Sequence, residues 1–244
     1  MSAVALLAEP SRGTHPSPVI RVARLHLVAW PYAMMWPWGI LALSFLVNLA
    51  IFGSVDDAQG SWTGGLMSIY VVQLIGNLQL FTRGVPFAMG MSVTRRAYYF
   101  GTWLCTLLES FLFGAVLVVL RLVEDATNGW GVSLEYFGLG YLRSDNLLLQ
   151  WLVYVVPFLL VASVGASIGL LMARWGYNGL LTLIAGLIVL SGLAVVVISR
   201  LGRWGAIGDW VTGQSTAALF AGWPLPVAVV LGLLGYAVIR RATP

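Results

Sequence analysis

The chain has 244 residues, of which 59% are hydrophobic and only 9% are charged, whereas about a quarter of the residues are charged in soluble domains. This composition predicts an integral membrane protein. All 13 basic residues are arginines at the ends of apolar runs, and the absence of a basic patch excludes nucleic acid as a partner. A single cysteine, Cys105, excludes an internal disulfide and a Cys/His metal site.

The stretch SRGTHPSP near the start of the sequence is polar and rich in proline. Residues 1–17 are therefore predicted to form a flexible cytoplasmic tail. The start of the chain lacks the basic segment of a signal peptide, so the first membrane span is expected to insert uncleaved. Residues 18–30 carry Arg21 and Arg24 on one face, which fits a short helix lying on the membrane surface. An extension of the first span explains these residues equally well.

Six apolar stretches are long enough to cross a membrane as helices, which takes about 20 residues each. They cover residues 31–53, 65–86, 98–121, 147–173, 179–199 and 223–239. The sequence therefore predicts an all-α fold in which residues 18–244 form one domain of six transmembrane helices. Pro157 lies inside the fourth stretch and is expected to kink it.

The arginines predict the orientation in the membrane. Six spans place both termini on one side, and nine of the 13 arginines lie on that side. These nine are Arg12, Arg21, Arg24, Arg83, Arg95, Arg96, Arg174, Arg240 and Arg241, while Arg121, Arg143, Arg200 and Arg203 lie opposite. Because cytoplasmic loops carry the excess of positive charge, both termini are predicted to be cytoplasmic, with the chain in the plasma membrane. An inverted chain or a seventh span is the alternative.

Two longer connections, residues 122–146 and 200–222, are rich in glycine and tryptophan. Such stretches usually lie at the membrane interface. They are expected to anchor the chain there, and a binding site is the alternative interpretation. The GxxxG pattern at residues 165–169 predicts close contact between helices, either within the chain or at a dimer seam.

Glu109 lies near the middle of the third apolar stretch. A charged side chain there costs on the order of 2.5–3.5 kcal/mol, so it must face protein or water. One interpretation makes Glu109 part of a substrate pathway together with Gln73 and Asn77 of the second stretch. The other is a structural hydrogen bond from Glu109 to Gln73 or Asn77, which lie one helical turn apart.

The segment FAMGMSVTRRAYYFG, residues 87–101, separates the second and third apolar stretches. Gly84 and Pro86 are expected to end the second helix, and Ser92 or Thr94 to cap the next one. By composition alone, Arg95 and its neighbour Arg96 mark a positive inner loop that fixes the topology.

Within this segment, MGMSVTRRAYYFGT resembles the connection between the second and third helices of ABC exporter permeases of the type-2 class. Their pattern is a small-residue turn, Ser or Thr, paired arginines, two aromatic residues and Gly-Thr. GWGVSLEYFGLGYL and the ending GYAVIRRATP are also similar to actinobacterial members of this length, so the resemblance covers nearly the whole chain.

The resemblance implies a non-catalytic permease subunit that forms the substrate pathway as a dimer and is driven by a separate ATPase chain. ATP and Mg²⁺ would bind that partner, and this chain would need no cofactor. Residues 18–30 would be an elbow helix, and a short coupling helix would span about Val85 to Arg95. The residues expected to contact the ATPase are Met89, Gly90, Met91, Ser92, Val93, Thr94, Arg95 and Arg96. The chain has no lysine and hence no Walker A motif, which agrees with a separate motor.

Alternative functions belong to other classes. A secondary, proton-coupled carrier would show internal repeats and several buried ionisable groups. A membrane assembly protein without transport activity would have no ATPase partner. Arg95 and Arg96 can bind acidic groups of an ATPase or the phosphates of membrane lipids.

Overall fold

The computed structural model describes residues 17–54 and 63–241, with the main chain alone at residues 25–33 and 241. The predicted flexible tail therefore lies outside the described residues except for Ser17. The α-helices are α1 (Pro18–Gly53), α2 (Met67–Gly90), α3 (Arg95–Ala126), α4 (Leu147–Arg200), α5 (Trp204–Thr212) and α6 (Pro224–Arg241). The fold is all-helical, as the sequence predicts.

Four regions are long and apolar enough to cross a membrane, which is compatible with a membrane protein. They are Met34–Gly53, Arg95–Ala126, Leu147–Arg200 and Ala218–Arg240. The second predicted span corresponds to α2, which is not among the four. Helix α2 carries Gln73, Asn77, Gln79 and Arg83, and these residues lower its hydropathy.

The fourth and fifth predicted spans both lie in α4, which is interrupted at Gly176. This residue has φ +62° and ψ −157°, outside the helical region. Such a conformation is essentially restricted to glycine, because a Cβ atom would clash with the main chain. The predicted connection at residues 174–178 therefore corresponds to a break between two helical segments, 147–175 and 177–200.

Helix α1 runs without interruption from Pro18 to Gly53. The predicted elbow, residues 18–30, thus has no boundary that separates it from the first span, and the main chain follows the alternative interpretation of an extended helix. Packing against α3 accounts for this, since a Cβ atom at Gly101 would lie 2.7 Å from the Val22 side chain. The N-terminal part of α1 therefore lies alongside α3.

The predicted coupling helix is not a separate element, so this expectation needs correction. Residues 85–90 form the last turns of α2, which continues through Pro86, and only residues 91–94 connect it to α3. Proline removes one main-chain hydrogen bond, but Val85 and Ala88 are buried and hold these turns in place. The Thr94 side chain caps α3 by accepting a hydrogen bond from the nitrogen of Ala97 at 3.3 Å, which confirms the predicted cap.

Two large apolar clusters lie at the two ends of the bundle, and a third, smaller cluster joins α4 to α6 through Val155, Leu159 and Ala228. The cluster at the cap end, next to residues 127–146, includes Leu41, Ile69, Phe113, Tyr136, Tyr154 and Phe158. The cluster at the turn end, next to residues 91–94, includes Val22, Phe81, Val85, Tyr98, Tyr99 and Ile239. Between them along the helices lie buried polar side chains, namely Gln73, Asn77, Thr106, Ser110 and Ser163. Polar side chains are therefore buried between the two large apolar clusters.

The GxxxG glycines pack α4 against α2 of the same chain. A Cβ atom at Gly165 would lie 2.5 Å from the carbonyl oxygen of Leu74, and one at Gly169 would lie 2.6 Å from that of Leu78. Only glycine allows two helices to approach so closely. The interpretation of this motif as packing within the chain is confirmed, and α2 occupies the face that a dimer seam would need.

Candidate functional site

A cavity of about 900 Å³ lies between α1, α2 and α3. Helix α1 contributes Trp36, Pro37 and Ile40 to its wall, and α3 contributes Glu109. The largest share comes from one face of α2, whose polar members are Gln73, Asn77, Gln79 and Arg83. The polar residues that lower the hydropathy of α2 are thus the ones that line the cavity.

The three residues predicted for the substrate pathway lie together at this cavity. The Gln73 amide nitrogen donates a hydrogen bond to the Glu109 carboxylate at 3.0 Å. Asn77 donates to the carbonyl oxygen of Gln73 at 2.9 Å and accepts from the Thr106 hydroxyl at 3.4 Å. The hydrogen bond to Gln73 is the structural role expected for Glu109. Since Glu109 also lines the cavity, the two interpretations of this residue do not exclude each other.

Helical spacing explains how these side chains meet. Gln73 and Asn77 are four residues apart on α2, and Thr106 and Glu109 are three apart on α3, so each pair lies on one face. Gly76 stands beside them and has open space where a side chain would be. The pattern of polar and small residues therefore opens the cavity on this face of α2.

The cavity carries charges of opposite sign at different depths. Glu109 lies beside Gln73, whereas the exposed Arg83 lies ten residues further along α2, about 15 Å along the helix axis. The lining between them includes the apolar Ile75 and Leu80 beside the polar Asn77 and Gln79, and the apolar Phe87 lies one turn beyond Arg83. Such a surface can bind a molecule that has an apolar body and polar groups at separate positions.

The residues predicted to contact an ATPase lie together at the turn end of the bundle. Met89 and Gly90 end α2, residues 91–94 form the turn, and Arg95 and Arg96 begin α3. The Arg95 side chain donates a hydrogen bond to the Met89 sulfur at 3.3 Å, which links the two helix ends. Ser92 has a φ of +60°, in the left-handed region, and this conformation makes the turn tight.

The connection between α3 and α4 holds a buried carboxylate that sequence reasoning did not single out. Glu124 is 3% exposed and accepts hydrogen bonds from the main-chain nitrogens of Tyr136, Phe137 and Gly138, at 3.0, 2.9 and 2.7 Å. The indole nitrogen of Trp130 donates a fourth at 3.1 Å. This carboxylate therefore organises the connection, residues 127–146, which we call the cap.

An arginine and a glutamine secure the other end of the cap. The Arg121 guanidinium donates to the side-chain oxygen of Gln150 at 2.7 Å and to the carbonyl oxygen of Ser144 at 3.0 Å. Arg143 forms a more exposed ion pair with Asp125 at 2.7 Å. The sequence gives one clue to this arrangement, because Glu124 and Arg121 lie one turn apart where an apolar stretch ends.

The cap also covers the apolar core. Tyr136 is fully buried, and its hydroxyl donates to the carbonyl oxygen of Leu41 in α1 at 3.4 Å. Gly65 makes room for this ring, since a Cβ atom there would lie 2.4 Å from it. Burial raises the pKa of the Tyr136 hydroxyl above its ordinary value. The interfacial segment expected from the sequence is therefore a packed part of the fold.

The charged residues give no sign of a metal centre in the part of the chain that the structure describes, where no three His, Cys, Asp or Glu side chains come together to hold an ion. Comparison with protein-family models, with curated proteins and with solved structures found no match to this chain. The cavity, the turn and the cap are therefore the features from which a function can be inferred.

Proposed function

We propose that this chain is the transmembrane permease subunit of an ATP-driven exporter of the type-2 ABC class. It would pair with a second permease copy, and a separate ATPase subunit would bind ATP and Mg²⁺. One observation carries the proposal, namely that α2 both lines the cavity and ends at the turn of residues 91–94. A force applied at the turn would therefore act directly on the wall of the cavity.

The contacts at the turn end support this mechanical coupling. The distance from Gly90 to Gln73 is 17 residues, or about 26 Å along a helix. The Tyr98 hydroxyl donates to the carbonyl oxygen of Leu80 at 2.7 Å, so the start of α3 is joined to α2 ten residues before α2 ends. Movement of the turn would shift both helices together, as in transitions that move packed helices as rigid bodies.

The proposal includes six membrane spans with both termini in the cytoplasm of a bacterial cell. Helix α2 has 24 residues and is about 36 Å long, which exceeds the roughly 30 Å of the hydrocarbon layer. Its polar side chains face the cavity, so they need not meet lipid. The break at Gly176 divides α4 into two segments that are each long enough to span. The distribution of arginines supports the orientation.

The cavity favours an amphipathic substrate. Gln73, Asn77 and Glu109 offer hydrogen-bond donors and acceptors, while Trp36 and Phe87 offer apolar surface. Lipids, polyketides, peptides and drug-like compounds combine these properties. Removal of such molecules from the bilayer would serve secretion of a product or self-resistance.

A proton-coupled carrier is the second candidate, because Glu109 is a carboxylate that lines the cavity. Intramembrane carboxylates often take part in proton relays. A carrier would function without an ATPase, and a proton gradient alone would drive it. The presence of a stoichiometric ATPase partner therefore distinguishes the two candidates.

The test is purification of the tagged full chain from its native membranes in a mild detergent, followed by mass spectrometry and an ATPase assay. We expect an ATPase subunit to co-purify in matching amount. Replacement of residues 89–93 by a Gly/Ser segment should abolish this association while membrane insertion is retained. The same replacement at residues 205–209, which are exposed in α5, should leave the association intact.

Two results would contradict the proposal. One is repeated isolation of the intact chain without any ATPase, and the other is an undiminished association after replacement of the turn. In the first case, transport driven by a pH gradient in vesicles would support the carrier.

A further inference from the structure

A second, narrower groove lies on a different side of the bundle, between α3, α4 and α6. Its volume is about 390 Å³, and its lining is almost entirely apolar. Trp103 and Leu107 of α3, Leu159 of α4, and Val229 and Leu233 of α6 form its walls. The groove shares no lining residue with the larger cavity, so the two are separate features.

The dimensions of the groove match one leaflet of a bilayer. It follows α6 from Leu225 to Tyr236, eleven helical steps or about 17 Å. Half of the hydrocarbon thickness is about 15 Å. A single acyl chain lying along α6 would therefore fill the groove over the depth of one leaflet.

Two arginines stand at one end of this groove. The Arg96 guanidinium lies over the Phe100 ring at 5.9 Å, and the Arg240 guanidinium lies over the Tyr236 ring at 5.7 Å. The two rings contact each other at 5.2 Å between their centres, and both line the groove. Contacts between the rings thus bring two positive charges to the mouth of an apolar groove.

Among the residues that the structure describes, no acidic side chain forms an ion pair with either arginine. Both are exposed, and the ion pairs of the described residues join Asp125 to Arg121 and Arg143 at the cap end. A cation–π contact at this distance leaves the outward N–H groups of a guanidinium available to an anion. The two exposed guanidinium groups therefore offer a positively charged site for a phosphate group.

We propose that this groove binds an anionic phospholipid, with one acyl chain along α6 and the phosphate between Arg96 and Arg240. Basic sites between membrane helices bind anionic headgroups through charge, and the apolar groove adds burial of the chain. The inference requires that the protein lies in a bilayer, but it does not require that the protein is a permease. Failure of the ATPase experiment would leave it standing.

The test is native mass spectrometry of the full chain in detergent, with titration of phosphatidylglycerol and, separately, of phosphatidylcholine. We expect one phosphatidylglycerol per chain to bind more tightly than phosphatidylcholine. The double variant Arg96→Gln, Arg240→Gln should bind phosphatidylglycerol about thirtyfold more weakly. The matched variant Arg200→Gln, Arg203→Gln removes the same charge from exposed residues elsewhere and should bind like the unmodified protein.

A second pair of variants tests the acyl chain. Val229→Trp places a large ring at the groove and should weaken binding, whereas Val195→Trp, at an equally exposed position of α4, should not. Equal binding of both lipids, or no effect of the arginine variant, would overturn the proposal. Displacement of the lipid by millimolar inorganic phosphate would also overturn the proposal, because the apolar groove would then contribute nothing to the affinity for the lipid. Val229→Trp could instead leave the number of bound lipids unchanged and abolish a dimer. This result would assign the groove to a second copy of this chain.

Discussion

The Glu124 carboxylate accepts a hydrogen bond from the main-chain nitrogen of Gly138 at 2.7 Å, across fourteen residues of sequence. The nitrogens of Tyr136 and Phe137 bind the same carboxylate. Three successive N–H groups thus converge on one side chain, at a place where the main chain has neither helix nor sheet to satisfy them. A charged acceptor in this position fixes the course of the whole cap.

We expect Glu124→Gln to destabilise the protein by about 3 kcal/mol, because hydrogen bonds to a charged acceptor contribute about 1.5–3 kcal/mol each. The amide would keep the shape of the side chain but would lose the charge and one acceptor oxygen. The midpoint of thermal unfolding in detergent measures the effect, and limited proteolysis should find new cleavage between residues 127 and 146.

Glu135→Gln is the matched control, since Glu135 lies in the same cap but makes none of these hydrogen bonds. Its unfolding midpoint and proteolysis pattern should stay unchanged. Equal stability of the Glu124→Gln and Glu135→Gln variants would show that the carboxylate does not hold the cap.

Glycine at the contact between α2 and α4 provides a second prediction. Gly169→Ala should lower the stability by about 1–3 kcal/mol, because its Cβ atom would lie 2.6 Å from a carbonyl oxygen of α2 and force the helices apart. Gly192→Ala lies in the same helix, with open space around the new methyl group. This variant should be unchanged or slightly more stable. Comparison of the two unfolding midpoints is the measurement, and similar midpoints would argue against the close packing.

The cavity between α1, α2 and α3 should be accessible to water. In a Cys105→Ser background, a cysteine at Gln79, which lines the cavity, should react with a charged maleimide, because only a hydrated thiol ionises readily. A cysteine at Leu190 is exposed on an apolar helix and should resist labelling in membranes. Labelling at both positions, or at neither, would contradict a water-filled cavity.

The turn between α2 and α3 contains Ser92 with φ +60°. Ser92→Gly should keep or raise the stability, since glycine adopts this conformation without strain. Ser92→Val should lower it by about 1–3 kcal/mol, because a β-branched residue fits the left-handed region poorly. Thermal unfolding of the two variants gives the comparison. An identical effect of glycine and valine would mean that the turn does not depend on this conformation.

Much of the helical layout follows from the sequence because apolar length and helix formation go together. The stretches at 31–53 and 98–121 lie within α1 and α3. The cap by Thr94 was one of two expected, with Ser92 as the other, and the bond from Gln73 to Glu109 was one of two expected, with Asn77 as the other donor. These features depend on residues a few positions apart or on facing polar groups that need a partner. Local chemistry is therefore enough to predict them.

Other features depend on packing that a single sequence does not display. Helix α2 continues beyond Pro86 because Val85 and Ala88 are buried against other helices, although proline and glycine favour an end there. The role of Glu124 depends on main-chain groups of residues 136–138, which carry no side-chain signal. The groove between α3, α4 and α6 has two arginines at one end because Arg96 and Arg240, far apart in sequence, lie over two aromatic rings that contact each other.

The position of α6 has a consequence for biosynthesis. The Ser163 hydroxyl donates to the carbonyl oxygen of Ala228 at 3.0 Å, across 65 residues, so the C-terminal helix completes the core beside the first segment of α4. Almost every residue from 181 to 200 is exposed, so this intervening segment contributes few buried side chains to the core. The side of the first α4 segment that α6 covers is therefore filled only once residues 224–241 have been synthesised, and a chain truncated before Pro224 would leave that side open.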